Sequence, residues 1–413
     1  MSPAKKTTIA LFLYGGGMRG LIPAHIMTRI EEKTGLRMAE MVDIFCGPST
    51  GAILNAALNI PHPDEPHRPK YRARHLVKFY EREGLNIFPR DRFRELRGMV
   101  HDFNNRTLKL SQLEGLFRHG HYNPSDLGKP LRALFGNTRL HEALCTLIIP
   151  AYNIDRHPIV VETVRQEGDR MQVRNSFLDE GGHAVWLKHI KTGTPEGVEK
   201  RTPDVAIFDA VMGSCAAPTF YPCHHFQVKY PDARGTMALS AIDGGIFDNP
   251  CISYLGAIRE HVPAGHRPVI IGLGTGYTNR SIKKEDWNRY GALGVVDPVN
   301  DLPLINIFFH ASESALMDSF ADEMGDNLYI FNKVLPPEKD NPSIPTQEID
   351  DASPENLKAM QRFAEAMMEE YSRQMDDVCH MLVANRDRRI AEAKGLRHGL
   401  QYYVKKITGK TGT

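Results

Sequence analysis

IALFLYGGGMRGLIPAHIMTRI, residues 9–30, decides how the chain is read. Ile9 to Tyr14 are apolar without interruption, which marks a strand covered on both faces; three glycines end it, and Leu21, Ile22, Ile26 and Ile30 then recur at helical spacing. The unit repeats at once. Gly35 stops the helix, Val42-Asp43-Ile44-Phe45-Cys46 forms a second short strand, Gly47-Pro48-Ser49-Thr50-Gly51 turns the chain, and an alanine-rich helix follows over 52–58. Strand, tight turn and helix in alternation predict an α/β fold of three layers, α/β/α, with a mostly parallel central sheet.

Further along, residues 59–75 are dense in proline, histidine and charge and read as an exposed loop. Helices are expected near 76–83, 108–117 and 206–217, and strands near 143–151, 159–164, 237–242 and 268–273. The polar, glycine-rich stretch 168–197 suggests a hairpin at the sheet's edge. Residues 356–389 carry a long helical pattern. The expected organisation is a catalytic domain over 1–355, with a helical and loop insertion at 59–135, and a C-terminal helical extension over 356–413 packed on it.

Lysine and arginine number 51 against 50 acidic residues, for a net charge of +1, so no global positive field points to a nucleic-acid polymer as partner. Cys46, Cys145, Cys215, Cys223, Cys251 and Cys379 are scattered without a C-x-x-C pair, which fits a reducing, cytosolic-type interior. Lys5 and Lys6 precede a short apolar run in the manner of a secretory signal, but the run is too short and ends in glycines, so it reads as a strand. No stretch approaches the roughly 20 apolar residues of a membrane-spanning helix, so membrane contact is expected to be peripheral.

Three short motifs carry the chemistry. Gly15-Gly16-Gly17-Met18-Arg19-Gly20 matches G-x-G-x-x-G as text, yet the second strand ends in Cys46 and Gly47 rather than in the carboxylate a dinucleotide ribose needs. Its alternative use is to aim bare backbone N–H groups at an anion, such as a developing oxyanion. Gly47-Pro48-Ser49-Thr50-Gly51 has the G-x-S-x-G pattern of a nucleophile elbow, with the Thr50 N–H as a further oxyanion donor. Asp243-Gly244-Gly245 ends a strand and lets a carboxylate approach closely. An ordinary β-turn aspartate and a helix-entry serine are the plainer readings of the last two taken singly.

In this order and at these separations, GGGMRG, GPSTG and DGG resemble the patatin-like phospholipases. The small-residue stretch 211–222, the strand and turn 271–276 and the segment 348–356 extend the resemblance over roughly residues 8–370. Two positions differ from the usual pattern: Ala52 stands where a second glycine is common, and Pro48 precedes the serine. Neither removes a catalytic group. The resemblance implies hydrolysis of lipid acyl esters by a dyad of Ser49 and Asp243 through an acyl-serine intermediate, at a membrane surface. It implies an oxyanion hole from the 15–20 loop and Thr50, and needs no metal and no cofactor. Arg19 then orders the loop or attracts lipid phosphate, with ordering favoured. Bacterial relatives include secreted effectors needing a host activator and immune effectors switched on by cyclic nucleotides, so a small-molecule or protein activator, a homo-oligomer, headgroup, acyl position and secretion as an effector stay open.

An aspartate of ordinary acidity, near pKa 3.9, is a weak base for a hydroxyl proton, so Asp243 is expected to be desolvated and its pKa raised. Two rivals remain. A Ser-His-Asp esterase would recruit His261 or His266, which follow Asp243 in the chain; a binding protein would keep the glycine loop only to hold an anionic ligand. The run Cys223-His224-His225 has no second cluster at metal-ligand spacing. The apolar segment 302–309 is expected either in the core or, with 59–75, at the border of an acyl channel.

Overall fold

The computed structural model describes residues 6–88, 122–155, 163–167, 170–174, 182–191, 202–231, 235–277, 282–295, 303–336, 341 and 343–408. The helix expected at 108–117 lies outside them, as do parts of the 159–164 and 168–197 segments.

The sheet is built on β1 (Thr7–Leu13). Its side chains alternate between two apolar layers: Ile9, Leu11 and Leu13 enter one buried cluster, Ala10 and Phe12 the other. Burial on both sides explains why this strand reads as an unbroken apolar run, each large aliphatic side chain contributing about 1.5–3 kcal/mol. β2 (Ile44–Cys46) pairs parallel to β1, with Ala10 opposite Ile44 and Phe12 opposite Cys46. β3 (Thr146–Asn153) pairs parallel to β2 through its first residues, with Cys46 opposite Ile148.

Beyond this core the sheet turns antiparallel. β4 (Thr163–Glu167) and β5 (Arg170–Arg174) form a separate hairpin, whereas β6 (His183–His189) pairs antiparallel to β3. The 168–197 stretch is therefore divided between an excursion and a strand of the main sheet. β7 (His224–Lys229) and β8 (Thr236–Asp243) pair with each other, and β8 pairs antiparallel to the end of β3, with Asp243 opposite Ala151. On the far side, β9 (Arg267–Leu273) runs parallel to β1 over its whole length and β10 (Leu328–Phe331) parallel to β9. The order is β10-β9-β1-β2-β3-β8-β7, with β6 on the other edge of β3.

Helices cover both faces, giving the expected three layers. On one side lie α1 (Leu21–Thr34), α2 (Met38–Met41), α3 (Thr50–Leu58), α4 (Ala73–Ile87), α5 (Pro124–Phe135) and α6 (Ile207–Ser214), all contributing to the larger buried cluster. On the other lie α7 (Pro250–Ser253), the wider turn Tyr254–Ile258 that continues it, and, past α8 (Lys284–Gly294), α9 (Pro303–Met324). Of the 302–309 segment, Ile307 of α9 is 40% exposed and Leu304 half-buried, and the other side chains lie outside the described residues. Of the 59–75 stretch expected as an exposed loop, 61–72 form a loop closed by a bridge between Pro61 and Pro69 and exposed over 63–68, whereas Asn59 and Ile60 are buried and 73–75 already belong to α4.

α10 (Pro354–Glu370) and α11 (Ser372–Thr408) place Met360, Met367, Met375 and Leu382 in the same cluster as β1. Asn385 donates to the Met41 carbonyl at 2.8 Å and to Asp43 at 2.9 Å, and Arg388 donates to the Thr7 carbonyl at 2.9 Å. These bonds tie α11 to the amino end of the sheet. Among the described residues, no helix is long and apolar enough to cross a membrane.

Candidate active site

β2 and β8 share one edge of β3, because β6 occupies the other edge at both Ile148 and Ala151. β2 runs parallel to β3 and β8 antiparallel, so their carboxyl ends point at each other across the short gap spanned by Ile149 and Pro150. Pro150 suits that gap. In an extended residue the N–H and C=O lie on one edge, and its carbonyl accepts a hydrogen bond on the gap side, so the donor it lacks would have met no partner strand.

Ser49 leaves β2 and enters α3 with φ 56° and ψ −127°, a left-handed setting that costs a non-glycine residue about 1–3 kcal/mol. Neighbouring bonds hold it there. The Gly51 and Ala52 N–H groups both reach the Pro48 carbonyl, at 2.9 and 3.3 Å, and the buried Asn55 amide donates to the Cys46 carbonyl at 2.8 Å. Gly51 lies so close to the Leu13 carbonyl that no side chain fits, which is why the elbow needs glycine after the serine. Ser49 is part-exposed and faces the positive end of α3. Its own N–H donates to the Ser214 hydroxyl at 3.0 Å, and Ser214 donates onward to the Pro150 carbonyl.

Asp243 is 1% exposed. Its Oδ1 accepts the Gly245 N–H at 2.8 Å, and Gly244 lies against the Pro150 carbonyl. Burial pushes this carboxyl up to about 7; the Gly245 N–H and the Ser49 hydroxyl, which hydrogen-bond the ionised form, pull the other way. A carboxylate poised near neutrality is a competent proton acceptor, as an ordinary one is not. Burial pushes the Cys215 thiol up, and the Asp243 charge beside it pushes the same way, so the thiol stays protonated.

The glycine loop closes the other side. A Cβ on Gly15 would stand 3.2 Å from the Ser49 Cβ, so bare backbone borders the hydroxyl. The Thr275 hydroxyl donates to the Gly15 carbonyl at 2.8 Å and fixes the loop's orientation. Of the six loop residues read as an oxyanion hole, Met18 and Arg19 have their N–H groups committed, to the Ile349 carbonyl at 2.7 Å and the Gly16 carbonyl at 3.1 Å. Gly20 belongs to the short 3-10 turn Gly17–Gly20. Among the described residues, the N–H groups of Gly15, Gly16, Gly17 and Thr50 meet no acceptor. Arg19 is 7% exposed, a placement that suits ordering the loop rather than meeting lipid phosphate.

The histidines of the rival readings lie elsewhere. His266 bonds Thr8 at 2.9 Å, at the amino end of β1, which is about 20 Å along the strand from the glycine loop. His261 sits in the turn just before it, against Glu260. His224 pairs with Asp209 at 3.1 Å and His225 with Ser240 at 3.1 Å, while Cys223 is exposed. No group of three or more metal-ligating side chains gathers among the described residues. Ser214, Pro150, Thr275 and Ile349 were not singled out by sequence, although the 211–222, 271–276 and 348–356 stretches that carry the resemblance hold three of them.

A family model described as patatin-like phospholipase matches residues 11–255, which contain all three motifs. Patatin-like protein 2 of Oryza sativa subsp. indica is 25% identical over 403 residues, covering 91% of this chain and 87% of that one. Patatin-like protein 1 of Arabidopsis thaliana is 25% identical, covering 91% and 86%, and patatin-11 of Solanum tuberosum 24% identical, covering 86% and 82%. Among solved structures, VipD from Legionella pneumophila aligns over 88% of this chain and 67% of that one at 13% identity, with a TM-score of 0.29, too low to bear on the site. With more than half its length matched and the motifs inside the matched region, the chain belongs to the patatin-like phospholipase family.

Proposed function

We propose that this protein hydrolyses acyl esters of lipids with Ser49 as nucleophile and Asp243 as its general base. Family membership supports lipid acyl hydrolysis as the class of reaction. The observation that carries the finer reading is the meeting of a part-exposed serine on a strained elbow with a buried carboxyl raised to about 7, beside N–H groups without acceptors.

In the proposed reaction the Ser49 oxygen attacks the ester carbonyl carbon while its proton passes to Asp243. The tetrahedral oxyanion is met by the N–H groups of Gly15, Gly16, Gly17 and Thr50, each donor typically contributing about 3 kcal/mol. Asp243 then returns the proton to the departing alcohol, leaving an acyl-serine. Water attacks that ester, again giving a proton to Asp243, and the fatty acid leaves as Ser49 recovers its hydrogen. Because one carboxyl accepts and returns each proton, the cycle closes without a histidine. The substrate class proposed is a phospholipid or lysophospholipid presented at a membrane surface.

The test is fatty-acid release from phospholipid vesicles, lysophospholipid micelles and triacylglycerol emulsions by the purified protein and by Ser49→Ala. Release from at least one lipid class, lost in Ser49→Ala, is expected. Release by Ser49→Ala at the wild-type rate would overturn the proposal.

A further inference from the structure

We propose that Ser214 is the positioning residue of the nucleophile, its hydroxyl fastening the backbone of Ser49 to the Pro150 carbonyl in the gap between β2 and β8. The inference rests on Ser49 being the nucleophile and adds a residue that never touches substrate.

Ser214 ends α6 and is 0% exposed, and α6 packs against β3, β8 and α3 at once. A hydroxyl has one hydrogen to give and lone pairs to receive with. The Pro150 carbonyl can only accept, so the hydrogen goes there and the oxygen is left to receive the Ser49 N–H. Both ends of the link matter. Removing the oxygen leaves the Ser49 N–H without its partner at the residue whose φ is least favourable in the elbow. The Pro150 carbonyl is also the surface on which Gly244 rests, one residue after Asp243. One carbonyl thus lies against the turn after Asp243, which has room for no side chain there, and holds the nucleophile's backbone through Ser214. The occupied Ser49 N–H is in turn unavailable as an oxyanion donor, so its role is geometric.

Ser214→Ala, Ser214→Thr and Ser214→Val test this against wild type and Ser49→Ala, by turnover of a soluble ester and by fluorophosphonate labelling of Ser49 at several pH values. Loss of a fixed attack geometry is expected to lower kcat and the labelling rate of Ser214→Ala by ~10- to 100-fold with KM within about twofold. As the Ser49 hydroxyl drifts from Asp243, the midpoint of the pH profile should rise, because that hydroxyl favours the ionised carboxylate. Threonine keeps the oxygen and should recover most of the rate; valine, of the same shape, should not. That pair shares any packing cost, so it decides the matter even where the alanine protein does not fold. Wild-type labelling of folded Ser214→Ala or Ser214→Val, or threonine as impaired as valine, would overturn the proposal. Turnover by Ser49→Ala would instead overturn the nucleophile reading beneath it.

Discussion

Cys46 and Asp243 end two strands that run toward each other along the same edge of β3, opposite Ile148 and Ala151 respectively. Three steps along one strand amount to about 10 Å, and the turns after the two residues fill that space. Ser49 and the Asp243 carboxyl therefore meet as a result of strand register. Neither lies on a mobile connection: Asp243 is 1% exposed, and the Ser49 backbone is bonded on both sides.

The first consequence concerns pH. A base must be ionised to accept a proton, and burial holds Asp243, the proposed base, near 7. Initial rates on a soluble ester from pH 5 to 9 should rise with a midpoint close to 7, rather than near the ordinary carboxylate value of about 4. A profile flat across that range would mean that Asp243 does not titrate in the reaction.

Stability should run the other way. The carboxyl titrates near 3.8 when unperturbed and near 7 when folded, so the folded state holds the proton more tightly. Its favourable contribution is complete below the lower value and is lost as pH rises through the upper one, by at most about 4 kcal/mol. Asp243→Asn should therefore be more stable than wild type at pH 8.5 and little different at pH 4, as urea unfolding would show. Equal differences at the two pH values would count against a buried charge.

Gly15→Ala tests the loop. The Gly15 φ lies outside the positive range, so alanine is acceptable to the backbone, but its Cβ would crowd that of Ser49 at 3.2 Å. We expect kcat to fall ~100-fold or more, the usual scale for damage to an oxyanion hole, with thermal stability nearly unchanged. Wild-type turnover would remove the loop from the reaction.

His261→Ala and His266→Ala address the triad alternative. His266 lies at the opposite end of β1 from the glycine loop, and His261 precedes it in the same connection. Both proteins should retain ester turnover within about twofold; inactivity of either, with its fold intact, would reinstate a histidine in the mechanism.

What sequence could reveal here was the local backbone chemistry. GGGMRG, GPSTG and DGG are legible because close approach and tight turning demand glycine at fixed offsets from the side chains they bring together. The α/β layering followed from a twofold-buried strand next to a helical repeat. Strand direction was less accessible: an apolar run has the same appearance whichever way it is paired, so β8 was not foreseen as antiparallel to β3. β7 was hidden in another way. His224, Phe226 and Val228 alternate with exposed residues as a half-covered strand should, but the run is short and opens on polar residues that carry no apolar signal. Ser214 and Pro150 act through hydrogen bonds between residues distant in sequence, which no spacing rule encodes.

The most direct test is the rate at which a fluorophosphonate labels Ser49 in wild type and in Asp243→Asn, followed across pH by intact-mass and peptide analysis. Wild type should label at Ser49 with a rate that rises through pH 7, while Asp243→Asn should label at least ~100-fold more slowly at every pH below 9. Equal labelling of the two proteins, or an adduct on another residue, would contradict a serine activated by that carboxylate.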